Sequence, residues 1–351
     1  MGSILCQLIT DSYSKLFWAT LENYQRGCAK PIQITPEISG DLFSRKMQPV
    51  TESLPRTDKL LMNKFNNARE RGLIATRRGD LVTAERAFSA ARVLLELDKL
   101  SLSGSLLYQS FLEQAESYLD YCRSDFEQAR NRIYAALAVD EILEEEYKYN
   151  ILLIHRIQLI HNLVRVDARC MNFEGAIELA CQILSYLEAK LEVLPIPGNW
   201  GYERVLRQPA ELVGAMFAQV TGEVALILAG KNRQVVGNLF AVVSNNLQLQ
   251  MNGNCQCHLR ANAWFFIKKA FVSNDVVLFL ERVSQFLSEG RADTPLLWYA
   301  TVIDLIVLCK ELDLPDSELF MQQVARDAAT WEHLPQKFSS LLGVHPKAEA
   351  A

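Results

Sequence analysis

The stretch that decides the fold is Arg78–Glu96, with the sequence RGDLVTAERAFSAARVLLE. Gly79-Asp80 predicts a turn, because glycine often ends one helix and an aspartate side chain often caps the next. Ala84, Phe88 and Ala91 follow at spacings of four and three residues, which place them on one side of a helix. The stretch therefore predicts a helical hairpin whose second helix packs through this side.

The same pattern recurs further along the chain. Ala129 and Ala176 follow turn signals as Ala84 does, and these alanines lie 45 and 47 residues apart. Weaker copies occur around Val235 and Phe279. A period in this range is typical of stacked helical hairpins, each of which buries an apolar stripe against its neighbours.

Composition favours helix over sheet throughout. Glycine and proline number only 16 and 11 in 351 residues, and alternating apolar runs are few. Beyond an N-terminal helix near 4–26, the periodicity predicts helices near 58–78, 80–97, 103–122, 125–146, 148–170, 172–191, 208–229, 232–249, 254–271, 274–289, 294–312 and 316–331. The sequence therefore predicts an all-α protein.

Charge and hydropathy exclude several classes of partner. The net charge of −5 gives no support for nucleic-acid binding, which needs a concentrated basic surface. We also expect no membrane partner, because no apolar run reaches the ~18–20 residues that span a bilayer. The nearest run, 212–229, contains Gln219 and Glu223. Eight scattered cysteines are typical of free thiols in a reducing cytosol, so we expect a cytoplasmic protein.

Five segments follow from these patterns. Residues 1–56 predict a helix and then an extended, proline-punctuated cap or tether, and residues 57–192 hold the clearest repeats. Residues 193–207 interrupt the helices with proline, glycine and tryptophan. Residues 208–342 predict degenerate helical hairpins, and 343–351 form a tail. We expect about six hairpins in two halves that meet at the interruption.

The first repeat resembles the tetratricopeptide repeat family. Its run Gly-Asp-x3-Ala-x3-Phe-x2-Ala matches the second helix of the family, and Gly72 stands where the family has a small residue for close helix contact. Matching positions in the next two units are Ser117, Asp125, Phe126, Ala129, Ala136, Phe173 and Ala176. The resemblance covers 58–192 well and 208–331 loosely. It implies an α-solenoid of stacked antiparallel hairpins in a right-handed superhelix, with helices longer than the family's 34-residue period allows.

The resemblance also implies a binding site. In this family the first helix of each hairpin lines a concave groove that holds a peptide or a helix of another protein. Carried over by register, the candidate partner-binding residues are Asn66, Arg69, Arg77, Gln114, Tyr118, Tyr121, Gln158, His161, Arg165 and Arg169. Their arginines suit a carboxylate or an acidic peptide, and their amides suit extended backbone. The open alternative is that these residues bond other helices or face solvent.

Signatures of catalysis and metal binding are missing from the sequence. Cys255-Gln-Cys257-His258 has the right residue types for a metal, but the cysteine spacing is too short for zinc and no second ligand pair follows. Phosphate loops, nucleophile elbows and dinucleotide fingerprints do not occur. We therefore expect a non-catalytic adaptor, scaffold or regulatory module without cofactor or metal. The alternative is an α-helical enzyme or small-molecule binder with a pocket between the halves, near Trp200 and the C-terminal aromatic residues.

Three further features have two interpretations each. Residues 30–56, if extended, would lie in the groove as a structural strap or as an inhibitor. The acidic residues of 140–146 indicate a solvated helix end or a contact for basic groups. Trp200, with Arg204 nearby, is either an exposed interface anchor or a buried plug.

Overall fold

The computed structural model describes residues 2–31, 41–95, 99–251, 253–291, 294–313, 317–331 and 334–344, without the side chains of 2–12 and 41. Within these ranges the protein has sixteen α-helices and no strand, which confirms the all-α prediction. The helices are α1 Gly2–Cys28, α2 Asp41–Ser53, α3 Arg56–Arg77, α4 Leu81–Leu95, α5 Leu102–Cys122, α6 Phe126–Tyr147, α7 Leu152–Arg169, α8 Phe173–Leu187, α9 Tyr202–Leu206, α10 Ala210–Leu228, α11 Arg233–Asn246, α12 Gln256–Val272, α13 Val276–Ser288, α14 Pro295–Leu312, α15 Ser317–Ala328 and α16 Gln336–Leu341.

A recurring turn joins the helices of four pairs. Its first residue has a left-handed backbone, with φ of 77° at Gly79, 63° at Ser124, 65° at Met171 and 59° at Asn274. The next residue donates its N–H to a carbonyl five positions earlier, over 2.9–3.0 Å. Its side-chain oxygen then accepts a hydrogen bond from an N–H three positions later, over 3.0–3.3 Å. These capping residues are Asp80, Asp125, Asn172 and Asp275.

Contacts between Cα atoms divide the chain into two compact units, Met1–Ser39 with Phe217–Ala351 and Gly40–Met216. In the second unit α3 packs on α4, α5 on α6 and α7 on α8, while α5 also packs on α3 and α4, and α7 on α6. The predicted packing positions lie inside these contacts, since Ala84, Ala91, Ala129 and Ala176 are fully buried.

Part of the tether predicted over residues 30–56 is helical in the structure. Residues 32–40 lie outside the described ranges, but Asp41–Ser53 form helix α2, so the extended conformation expected for this part was wrong. Pro49 lies inside α2 and Pro55 directly precedes α3, so both prolines belong to helical segments. Met47 and Val50 of α2, with Leu54 directly after it, join a cluster formed with residues of α5, α6 and α7.

The N-terminal helix belongs to the other unit. Helix α1 packs along α13, and Asn23 donates a 2.6 Å hydrogen bond to Ser284. The Tyr24 hydroxyl donates to Asp327 over 2.8 Å, and its ring stacks on Trp298 at 5.5 Å between centroids. The expected segment 1–56 is therefore divided between the two units after Ser39.

The C-terminal aromatic residues form core. The side chains of Trp264, Phe265, Trp298 and Tyr299 are all fully buried. They therefore belong to the core and not to the lining of an open pocket.

Helix α10 is, among the described residues, the one helix that is long and apolar enough to cross a membrane. Because 67% of its apolar window is buried within the protein, its burial is that of a core helix.

Gly72 provides a test of the close approach between α3 and α4. A Cβ atom there would lie 2.6 Å from Cδ1 of Phe88, so Gly72→Ala must displace a ring that is 1% exposed. We expect a net loss of about 1–2 kcal/mol in the free energy of unfolding, because overpacking costs roughly 1–3 kcal/mol and alanine recovers up to ~1 through helix propensity. Urea denaturation followed by circular dichroism measures this change.

Gly237→Ala in α11 is the matched control. A Cβ at this position would make an ordinary 3.7 Å contact with Cγ1 of Val272, so the substitution is expected to keep or raise stability. Equal effects of the two substitutions would contradict a steric role for Gly72.

Candidate binding cleft

A cleft lies across the first helices of three successive pairs in the unit Gly40–Met216. It has a volume of about 320 Å³ and is lined from α3, α5 and α7, with one residue from α6. Six of the ten candidate residues line it, namely Arg77, Gln114, Tyr118, Tyr121, Gln158 and Arg165. The other lining residues are Leu73, Ala115, Ser117, Ile133, Asn162 and Val166. The register of the hairpins thus brings residues from 73 to 166 onto one surface.

Two stacked tyrosines form one wall of the cleft. The rings of Tyr118 and Tyr121 have centroids 6.3 Å apart and an interplanar angle of 17°. The guanidinium carbon of Arg165 lies 5.7 Å from the centroid of Tyr121, within the range of a cation–π contact. The aromatic wall is therefore positioned by contacts between α5 and α7.

The cleft is electropositive. Burial raises the pKa of Tyr118, and the Cys122 thiol adds to the increase. The charges of Arg165 and Arg77 act in the opposite direction, so both guanidinium groups lie near this phenol. None of the twelve lining residues is an aspartate or glutamate. Arg77 makes no ion pair within the described ranges, so its charge is available to a ligand.

Four candidate residues lie outside the lining of the cleft. Asn66 and Arg69 precede Leu73 on α3, and Arg69 places its guanidinium 5.4 Å from the ring centroid of Phe111. Burial lowers the pKa of Arg69. Arg169 is exposed at the end of α7. None of these three residues lines the cleft.

His161 on α7 does not line the cleft. Its side chain is buried, and its Nδ1 pairs with the Nε2 of Gln158 over 3.1 Å. The lining position is Asn162, which the sequence analysis missed. The spacing along α7 could have identified Asn162, because Gln158, Asn162 and Val166 are each four residues apart and so share one face.

A second polar cluster holds serine, aspartate and histidine. Asp140 accepts hydrogen bonds from Ser110 at 2.6 Å and pairs with Nδ1 of His155 at 2.7 Å. In a nucleophilic triad the imidazole lies between the hydroxyl and the carboxylate, whereas here the carboxylate lies between the other two groups. Asp140 and Ser110 are fully buried and His155 is 4% exposed, so the arrangement is that of an internal structural network.

The acidic end of α6 anchors the interruption of 193–207. Glu145 bonds the side chain of Asn199 over 3.0 Å and pairs with Arg204, and Glu144 pairs with Arg204 over 3.3 Å. The backbone N–H of Asn199 donates to Glu141. The interpretation as a solvated helix end was therefore wrong for Glu144, which is 5% exposed.

Trp200 is a buried plug within this unit. Its indole N–H donates to the carbonyl of Ile196 over 2.8 Å, and its ring meets Tyr186 edge-on at 5.7 Å. The fully buried Arg156 places its guanidinium 3.9 Å from the Trp200 ring centroid and donates to the carbonyl of Asn199 over 3.1 Å. The exposed-anchor interpretation of Trp200 was wrong.

Among the described residues, no group of three or more His, Cys, Asp or Glu side chains could hold a metal ion. Comparisons of the chain with protein-family models, curated proteins and solved structures found no match.

The titration of Glu144 should make the stability of the protein depend on pH. Burial raises its pKa to about 7, although the charges of Arg156 and Arg204 act against this increase. Between about pH 5 and about pH 7 the folded chain therefore holds a proton that the unfolded chain has released. Stability is expected to fall as pH rises through this window, by roughly 2–3 kcal/mol.

Glu144→Gln should flatten this dependence, since glutamine does not titrate. Urea titrations of both proteins at a series of pH values measure the difference, with Glu146→Gln as an exposed control on the same helix. An unchanged slope in Glu144→Gln, or a loss of slope in Glu146→Gln, would contradict the assignment.

Proposed function

We propose that this chain is a non-catalytic, cytoplasmic protein- or peptide-binding module of the tetratricopeptide-repeat-like kind. The architecture we propose is an α-solenoid of stacked antiparallel hairpins in a right-handed superhelix. It is supported by the recurrent turn, by the pairs α3–α4, α5–α6 and α7–α8, and by the close contact of Gly72 with Phe88. The free thiols of the seven described cysteines support a reducing compartment.

One observation carries the proposed function. Six candidate residues chosen by repeat register, from three different hairpins, line the same cleft. Residues that merely faced solvent would have no reason to converge from three helices that are separated by other helices in the sequence. The adaptor, scaffold or regulatory role therefore centres on this cleft.

The chemistry of the cleft favours an acidic, extended segment. Arg77 and Arg165 provide fork-shaped donors for a carboxylate, and the lining holds no acidic side chain to repel one. The amides of Gln114 and Asn162 can bond a peptide backbone, while Tyr118 offers a flat apolar face. A volume of about 320 Å³ is at the small end of ligand pockets, so it suits a few residues of an extended chain rather than a folded surface.

Segment 41–56 does not compete for this cleft. Helix α2 packs on Leu107, Val139 and Leu143, none of which lines it. The strap and inhibitor hypotheses required this part of the chain to lie in the groove. The described part of the tether therefore leaves the cleft open to an external segment.

Charge reversal at the two cleft arginines tests the proposal. Peptides are selected from a displayed random library on the full-length chain, and their affinities are measured by fluorescence anisotropy. We expect the selected peptides to be enriched in aspartate and glutamate. Arg77→Glu/Arg165→Glu is expected to weaken them at least about 10-fold, because each lost charge-assisted contact costs roughly 1.5–3 kcal/mol. Added salt should weaken the wild-type complex as well.

Arg71→Glu/Arg86→Glu is the matched control, because both arginines are exposed in the same unit and neither lines the cleft. It makes the same change in net charge and should leave the affinities within about two-fold of wild type. Equal losses of affinity in both double variants would show that net charge causes the effect, and would reject the cleft as the binding site. Selection of a small-molecule ligand by native mass spectrometry, in place of peptides, would favour the alternative of a small-molecule binder.

A further inference from the structure

A pair of cysteines stands at the start of α12, in the unit formed by Met1–Ser39 and Phe217–Ala351. Cys255 is the capping residue, with φ of −154° and ψ of 169°, and Cys257 lies in the first helical turn. Their Sγ atoms are 3.0 Å apart, so the two thiols share a hydrogen bond. The backbone changes from extended at Cys255 to helical at Gln256, and the two sulfur atoms, separated by one residue in the sequence, meet at this change.

The surrounding backbone holds this pair in place. The N–H of Leu259 donates to the carbonyl of Cys255 over 3.1 Å, which begins the helix. Gly253 comes so close to this turn that a Cβ there would lie 2.8 Å from the N atom of Leu259. The His258 ring packs on Phe217, with centroids 4.1 Å apart. The contact between the thiols therefore belongs to a fixed turn of backbone.

The two thiols differ in access. Cys255 is partly exposed, whereas Cys257 is only 5% exposed. A reagent from solvent thus reaches the sulfur of Cys255 first. The second sulfur is already within 3.0 Å of the first.

Cys255 is also the most acidic of the thiols whose pKa is shifted. Its hydrogen bond with Cys257 lowers the pKa of Cys255 to about 6, and the backbone N–H groups of His258 and Cys257 contribute as well. Burial instead raises the pKa of Cys28 to about 11 and those of Cys181 and Cys309 to about 12. Near pH 7 the thiolate, which is the nucleophilic form, is thus concentrated at Cys255.

We propose that Cys255 and Cys257 form a redox-active dithiol that low-molecular-weight disulfides oxidise to an intramolecular disulfide. The inference rests on the geometry at α12 and is independent of the cleft. Metal binding is the competing use of such a pair, but no third His, Cys, Asp or Glu joins it within the described residues.

The reaction takes place in two exchanges. The Cys255 thiolate attacks one sulfur of the reagent RSSR, which breaks the S–S bond, forms the mixed disulfide Cys255–S–SR and releases RS⁻. Cys257 loses its proton and attacks the Sγ of Cys255, which releases the second RS⁻. The pair loses two electrons and two protons, and the reagent leaves as two thiols. The Sγ atoms need to approach by only about 1 Å to reach the ~2.05 Å bond of a disulfide.

The first test uses glutathione disulfide and the full-length chain near pH 7, with acid quenching and peptide mass spectrometry. We expect the peptide that carries Cys255 and Cys257 to lose two hydrogen atoms before glutathione appears on the exposed Cys122. Cys257→Ser should stop the reaction at a stable glutathione adduct on Cys255. Cys255→Ser should leave Cys257 reduced, and serine is itself a good helix cap, so this variant is expected to fold.

The second test measures alkylation by iodoacetamide in the Cys257→Ser and wild-type chains. In the wild-type chain Cys255 should react about five-fold faster than Cys122 near pH 7, after allowance for the weaker nucleophilicity of a more acidic thiol. In Cys257→Ser this advantage should shrink, because the neighbouring thiol that stabilises the thiolate is gone. Equal rates at Cys255 and Cys122 in the wild type, or a wild-type chain that keeps the glutathione adduct without closing the disulfide, would overturn the proposal.

Discussion

The three-residue turn between paired helices is the constraint on which the rest of the structure depends. A residue with positive φ ends the first helix, and the Asp or Asn that follows it caps the second. Because both bonds are local, the turn fixes where each helix stops and how its partner departs. Two of these turns lie 45 residues apart, at Asp80 and Asp125. Their regularity brings the same faces of α3, α5 and α7 into line, and the cleft follows from that alignment.

Features that depend on nearby residues could be predicted from the sequence. Twelve helices from Asp58 onward, the four recurring caps and the buried alanines follow from spacing and from turn chemistry, which act within a few residues. Six cleft residues were found for the same reason, since repeat register is a local property carried from one hairpin to the next. His161 stands three residues after Gln158 and four before Arg165, which both line the cleft, so spacing alone did not reveal that its side chain is buried.

Features that depend on distant residues were missed. Pro49 indicated an extended chain, but the apolar side of α2 is buried by residues of α5, α6 and α7 that lie far along the sequence. The role of Glu144 was likewise hidden, because its partner Arg204 is 60 positions away. A stretch of sequence short enough to show helix periodicity does not contain both members of such a pair.

Buried ion pairs join segments of the chain in both units. Arg156 and Glu144 hold the interruption within one unit, and in the other Lys268 bonds both carboxylate oxygens of Asp304 at 2.6 and 2.7 Å. Removing such groups from water costs several kcal/mol, which good geometry only partly repays. An alternative packing of these segments would leave a charge buried without its partner, which costs more still.

The pairing of α1 with α13 has a consequence for biosynthesis. Asn23 and Ser284, which bond each other, are 261 positions apart, and the whole unit Gly40–Met216 is encoded between them. On the ribosome, Phe17 and Tyr24 therefore emerge long before the aromatic partners that cover them, Phe320 and Trp298. The unit Gly40–Met216 can complete its own contacts during that interval, while the apolar side of α1 still lacks its partners. Until synthesis has passed α15, Phe17 of the nascent chain therefore lacks Phe320, the ring that covers it in the folded protein.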